Sequence, residues 1–139
     1  MKSMVSRTCV AGFLALLLSA SSVLAQGEDL SQVLKKPAYN QSWKTLMASK
    51  KSVDSWLKDY ARTYNGPTSP GVTVQLSDGA YQIYNVCKTH DCGSNMFFVL
   101  FSACGSKAWG LLLRNETEEI AFGQPDEEKL KALRAARNR

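Results

Sequence analysis

The sequence predicts an α+β domain: about five antiparallel strands in a meander, helices packed on one face, and a protruding disulfide-closed loop between strands two and three. Three observations carry this. Apolar residues recur at helical spacing as far as Tyr60 and then alternate strictly with polar ones from Val72, the change of period that separates helix from strand. The run Met96-Phe97-Phe98-Val99-Leu100-Phe101 is uninterrupted apolar, as a central strand covered on both faces requires. Between these two stretches lies a short polar segment bracketed by Cys87 and Cys92.

The N-terminus is set aside first. A basic start, Met1 to Arg7, leads into the apolar run Cys9 to Leu18 and then into small residues ending Val23-Leu24-Ala25 before Gln26, the pattern of a secretory signal peptide. That run is too short to span hydrocarbon, and no other stretch is both long and uncharged enough, so no stable membrane insertion is expected. Cys9 does not sit at the expected cut, which argues against a lipid anchor. Residues 1–25 are therefore read as signal peptide and 26–139 as one domain with one modest core, exported to the periplasm. Losing Lys2 and Arg7 lowers the net charge of +5 by two. The remaining mild excess does not read as a nucleic-acid protein.

The elements follow in order. Leu30, Val33 and Leu34 form a short apolar stripe, a helical turn or two that Pro37 should end. Tyr39, Trp43, Leu46 and Met47 repeat at helical spacing, and Val53, Trp56, Leu57 and Tyr60 do so again after Ser52 as a candidate N-cap. These aromatics are the core face of two amphipathic helices. The stretch Asn65-Gly66-Pro67-Thr68-Ser69-Pro70-Gly71 cannot continue a helix and favours turns. Val72, Val74 and Leu76 then alternate, Ser77-Asp78-Gly79 turns, and Tyr81 to Val86 returns, which predicts a β-hairpin. After the apolar third strand, Gly105-Ser106 turns the chain. Trp109, Leu111 and Leu113 mark a fourth strand, and Glu119 to Phe122 a fifth after a turn at Asn115. Pro125 followed by Asp126, Glu127 and Glu128 opens a closing helix whose end carries Lys131, Arg134, Arg137 and Arg139, the order the helix dipole favours. Asn40-Gln41-Ser42 and Asn115-Glu116-Thr117 match the glycosylation sequon, which matters only in a glycosylating host.

The chemistry concentrates in Cys87-Lys88-Thr89-His90-Asp91-Cys92-Gly93-Ser94-Asn95, which holds the single histidine of the chain. After signal cleavage three cysteines remain in an oxidising compartment, where neighbouring thiols pair. Cys87 and Cys92 are the close pair, leaving Cys104 as a buried thiol or an intermolecular partner. So short a ring contributes only about 2 kcal/mol of global stability. Its larger effect is local, because it fixes the intervening side chains before any partner arrives and so lowers the ordering cost of binding.

This segment closely resembles the loop of the Ivy family, bacterial inhibitors of vertebrate lysozyme, in which a Cys-Lys-Pro-His-Asp-Cys hexapeptide protrudes from an α+β domain. Cys87, Lys88, His90, Asp91 and Cys92 match it, Gly93-Ser94 continues the likeness, and Val72-Thr73-Val74-Gln75-Leu76, Asp78 and Tyr81-Gln82 look like the hairpin leading into that loop. Two departures stand out: Thr89 replaces the proline, and the chain after the fifth strand is shorter than in family members. The resemblance implies a C-type lysozyme as partner, an inhibitor rather than an enzyme, no cofactor, and Lys88, Thr89, His90 and Asp91 as the inhibitory residues. It also implies that His90 enters the active site between the two catalytic carboxylates and offers a ring nitrogen to each. In lysozyme one of that pair is held protonated as general acid and the other is ionised. Asp91 then orients the loop, and Lys88 meets polar groups around the cleft. A histidine beside carboxylates has its cationic form favoured, so inhibition should weaken at alkaline pH.

Other readings use the same residues. A metal site from Cys87, His90, Cys92 and Cys104 has suitable ligand types, but an oxidising compartment favours the disulfide, and one residue between His90 and Cys92 is not a standard zinc spacing. A nucleophile and base could be drawn only from Cys104 and His90. An envelope binding module, for example one restraining endogenous lytic transglycosylases, is the main alternative, and a homodimer is compatible with the sequence. Chicken-type lysozymes are usually basic, as this domain is, so long-range steering between the two is weakly repulsive. Asp91, Glu116, Glu118 and Glu119 are the residues that could supply a local negative face.

Overall fold

A computed structural model describes residues 27–139, so the expected signal peptide lies outside the described residues. The chain forms α1 (Leu30–Val33), α2 (Pro37–Ala48), α3 (Ser55–Thr63), then β1 (Thr68–Leu76), β2 (Gly79–Cys87), β3 (Met96–Ser102), β4 (Ala108–Arg114), β5 (Glu118–Phe122), and finally α4 (Glu127–Ala136). No helix among the described residues is long and apolar enough to cross a membrane.

Capping chemistry sets the helix starts. Asp29 and Gln32 close a capping box over α1, each satisfying a backbone donor that the helix leaves orphaned. Pro37 does more than end the first helical stretch. It occupies the first turn of α2, where the missing N–H has no partner to lose and the fixed φ already suits a helix. The cap of α3 is Asp54, not Ser52. Its carboxylate makes no capping bond and instead accepts from Arg114 Nη2 and Nε at 2.6 and 3.1 Å, tying α3 to the end of β4. Asp126 caps α4 by accepting from the Lys129 N–H at 2.9 Å.

The five strands form one sheet in sequential order, every neighbouring pair antiparallel. β1 begins earlier than turn chemistry suggests. Thr68 and Ser69 already pair with Val86 and Asn85, and a bulge between Ser69 and Val72 takes up Pro70 and Gly71. An edge strand tolerates a proline at such a bulge because one side of its ladder is unpaired. Gly71 is required by packing, since the Tyr84 ring occupies the space a Cβ would need.

Alternation along the strands divides the core in two. Phe97, Val99 and Phe101 pack with Tyr84, Val86 and Leu112 against Leu30, Trp43, Leu57 and Tyr60 of α1 to α3. Phe98 and Leu100 point the other way and pack with Ile83, Leu111 and Leu133 of α4. Helices on one face therefore describes α1 to α3 only, and α4 covers the opposite face. The reason is visible in β3, whose large side chains are apolar on both sides and would otherwise leave Phe98 and Leu100 in water at about 25 cal/mol per Å². Lys129 completes this second layer. Its ammonium bonds Asp126 at 2.7 Å and lies 4.9 and 5.4 Å from the ring centres of Trp109 and Tyr81, so a charged side chain is buried with its charge answered.

Candidate functional site

β2 and β3 are neighbouring interior strands of the sheet, and the bracketed segment is their connection. Cys87 pairs with Met96 at the last rung, and the Lys88 N–H donates to the Asn95 carbonyl at 3.0 Å, adding one more bond above the ladder. Beyond that bond the chain leaves the sheet. A disulfide joins Cys87 to Cys92 with their Cα atoms 4.9 Å apart.

Within the ring the Asp91 N–H donates to the Lys88 carbonyl at 2.9 Å, closing a turn with Thr89 and His90 at its tip. Lys88, Thr89 and His90 are exposed and Asp91 is half-buried. His90 takes a left-handed backbone, φ 64°, a conformation that strains most non-glycine residues by about 1 kcal/mol or more and persists only where its surroundings impose it. The imposed constraint here is the disulfide together with the turn bond. The imidazole makes no hydrogen bond among the described residues, so both ring nitrogens are available to a partner.

Asp91 is engaged inward. Its Oδ2 accepts from Asn95 Nδ2 at 2.7 Å, and its carbonyl accepts from the N–H groups of Ser94 and Asn95 at 3.3 and 3.1 Å. Lys88 Nζ lies 3.9 Å from the same carboxylate, a half-exposed pair of little energetic weight. Asn95 is 6% exposed and links the loop to the β4–β5 turn, its Oδ1 accepting from the Asn115 N–H at 3.3 Å. Ser94 makes the second link. Its carbonyl accepts from the Glu116 N–H at 2.9 Å and its hydroxyl donates to Glu116 Oε1 at 3.1 Å. The sequence marked Asn115 only as a turn and sequon residue and Ser94 only as part of the likeness, and it assigned no bracing role to Ser94, Asn95 or Asn115. The available signal was two polar, turn-forming segments at the ends of neighbouring hairpins, which a meander brings to one end of the sheet.

The structure thus gathers Cys87, Lys88, Thr89, His90, Asp91 and Cys92 on one protrusion, away from the main grooves among the described residues. A groove of about 520 Å³ between α2 and the β3–β4 turn, lined by Gln41, Thr45 and Trp109 among others, lies at the other end of the sheet. A protruding tip offers no concave pocket for a small ligand. Cys104 stands on that far turn. It is exposed and counts among the disulfide-bonded cysteines, so of the two expectations for it the buried thiol does not hold. His90 and Cys104 are thus separated by the length of β3, roughly 20 Å, too far for a nucleophile and its base. The sulfurs of Cys87 and Cys92 are bonded to each other and are not thiolate ligands.

A family model described as inhibitor of vertebrate lysozyme (Ivy) matches residues 38–137 of this chain. A Pseudomonas aeruginosa protein named inhibitor of vertebrate lysozyme is 34% identical over 90 residues, covering 63% of this chain and 56% of that protein. An Escherichia coli K12 protein of the same name is 32% identical over 102 residues, 70% of this chain and 59% of its own length. An uncharacterized Yersinia pestis protein is 26% identical over 102 residues, 73% and 64% respectively. The chain thus spans less than two thirds of the length of these relatives.

Proposed function

The chain belongs to the family of inhibitors of vertebrate lysozyme (Ivy), and we propose that it is an exported inhibitor of C-type lysozyme that places the Cys87–Cys92 loop in the enzyme's active site. The observation that carries this reading is the tip itself: a ring closed by a disulfide that holds an exposed histidine with no internal hydrogen-bond partner. Lysozyme cleaves its glycan between a protonated and an ionised carboxyl. His90 occupies the space of the scissile bond and bonds both. Thr89 packs at the tip beside it, Lys88 reaches polar groups on the cleft wall, and Asp91 keeps the ring upright through Asn95. Inhibition here needs no catalysis by the chain, only occupancy.

The test is chicken-type lysozyme activity on suspended bacterial cell walls with residues 26–139 and with His90→Ala. Stoichiometric inhibition is expected from the parent protein, and at least a hundredfold loss from the variant, the scale of a buried, charge-assisted contact removed from an interface. Inhibition should also fade from mildly acidic to alkaline pH, since carboxylates favour the imidazolium form. Folded, oxidised protein that leaves lysozyme active removes it as the target and turns attention to lytic transglycosylases.

A further inference from the structure

We propose that the β4–β5 turn is the second half of the lysozyme-binding surface, with the Glu116 carboxylate taking a cationic side chain on the rim of the enzyme's cleft. This rests on the inhibitory reading of the loop. Asn115, Glu116 and Thr117 are exposed, yet Asn115 and Glu116 both hold left-handed backbones, φ 51° and 69°. Glutamate is a poor residue for that conformation. What holds it is the disulfide loop, through Asn95 to the Asn115 N–H and through Ser94 to the Glu116 N–H and carboxylate. Loop and turn are therefore one rigid surface, and whatever receives His90 meets Glu116 beside it.

The charges at this end single out Glu116. Glu118 and Asp54 share Arg114 at 3.1 and 2.6 Å, Asp91 faces Lys88, and Glu119 is taken by Arg134 at 2.8 Å, on the side of α4. Among the described residues Glu116 has the Ser94 hydroxyl and no cation within ion-pair distance. A carboxylate so held keeps acceptor sites open for a donor from outside. At the loop end the carboxylates of Asp54 and Glu118 are answered by Arg114 and that of Asp91 by Lys88, which leaves Glu116 as the carboxylate there with no cation beside it among the described residues. A basic lysozyme is attracted to that unanswered charge, which orients the encounter toward the loop.

The experiment measures association rates with chicken-type lysozyme at low and high ionic strength for the parent protein, Glu116→Gln and Glu116→Asp. Glutamine keeps an oxygen for the Ser94 hydroxyl and removes only the charge. Expected is association slowed about threefold or more at low salt, converging with the parent at high salt, where screening removes the steering; Glu116→Asp should keep the parent's salt dependence. Glu116→Gln that matches the parent at both ionic strengths, or is slowed equally at both, overturns the proposal, the latter marking Glu116 as a structural brace. A parent protein that does not bind lysozyme overturns the inhibitory reading along with this one, whereas binding with an inert Glu116→Gln overturns this one alone.

Discussion

Thr89 sits next to the histidine at the tightest point of the ring, and its N–H donates no hydrogen bond among the described residues. A proline at this position therefore forfeits no bond, and it removes a torsion from the free loop. Thr89→Pro should strengthen lysozyme inhibition by the 0.4–1 kcal/mol typical of such substitutions, about two- to fivefold in inhibition constant; weaker inhibition would show that the native φ of Thr89 does not suit a proline. At this scale the tip was legible in the sequence, because Cys87, Lys88, His90, Asp91 and Cys92 are contiguous and the bridge needs no long-range information. The clamp was not. Ser94 to Glu116 and Asn95 to Asn115 join residues more than a hairpin apart, and neither periodicity nor spacing encodes which two turns end up side by side.

Elements were readable wherever period or punctuation is strong. Both amphipathic helices, the hairpin, the apolar third strand and the closing helix lie where their patterns put them. The differences arise where two signals compete. Pro70 and Gly71 are turn formers, but the edge position of β1 lets a bulge absorb them, and Ser52 lost the cap of α3 to Asp54, two residues on. The closing helix carries its own prediction. The Lys129 ammonium, and next the Lys129 N–H, hold the Asp126 carboxyl below the ordinary carboxylate range. A group with a depressed folded pKa contributes stability that is present above its unfolded pKa and lost as pH falls through the folded one. Asp126→Ala should accordingly lower the melting temperature at neutral pH, with the gap to the parent closing as pH drops below about 4. A gap that stays constant down to pH 2 would show that the carboxylate charge is not what α4 uses.

For the molecule as a whole, the middle of the sheet is buried on both faces, and the disulfide-closed loop stands at one end of it. Covering the second face was implicit in the run Met96 to Phe101, although which helix would do so was not, because α4 follows β5 and its destination depends on a crossing no local pattern specifies. Separating tip from core predicts unequal effects for the disulfide. Replacing Cys87 and Cys92 together by serine should cost about 2 kcal/mol in urea unfolding, while inhibition falls further than stability, since the ordering cost of the loop returns at binding. Unchanged inhibition by the double variant would sink the preorganised-loop account. The position of the loop also bears on how the chain breathes. Its base hangs from β2 and β3, with Lys88 donating to Asn95 one step beyond the last rung, and central strands open to solvent only when the whole domain unfolds. In hydrogen–deuterium exchange the Lys88 amide should therefore keep its proton nearly as long as the slowest core amides, while edge strands and helix ends have long since exchanged. A protease working on transient openings would then nick the periphery of the domain long before it reached the root of the histidine-bearing ring.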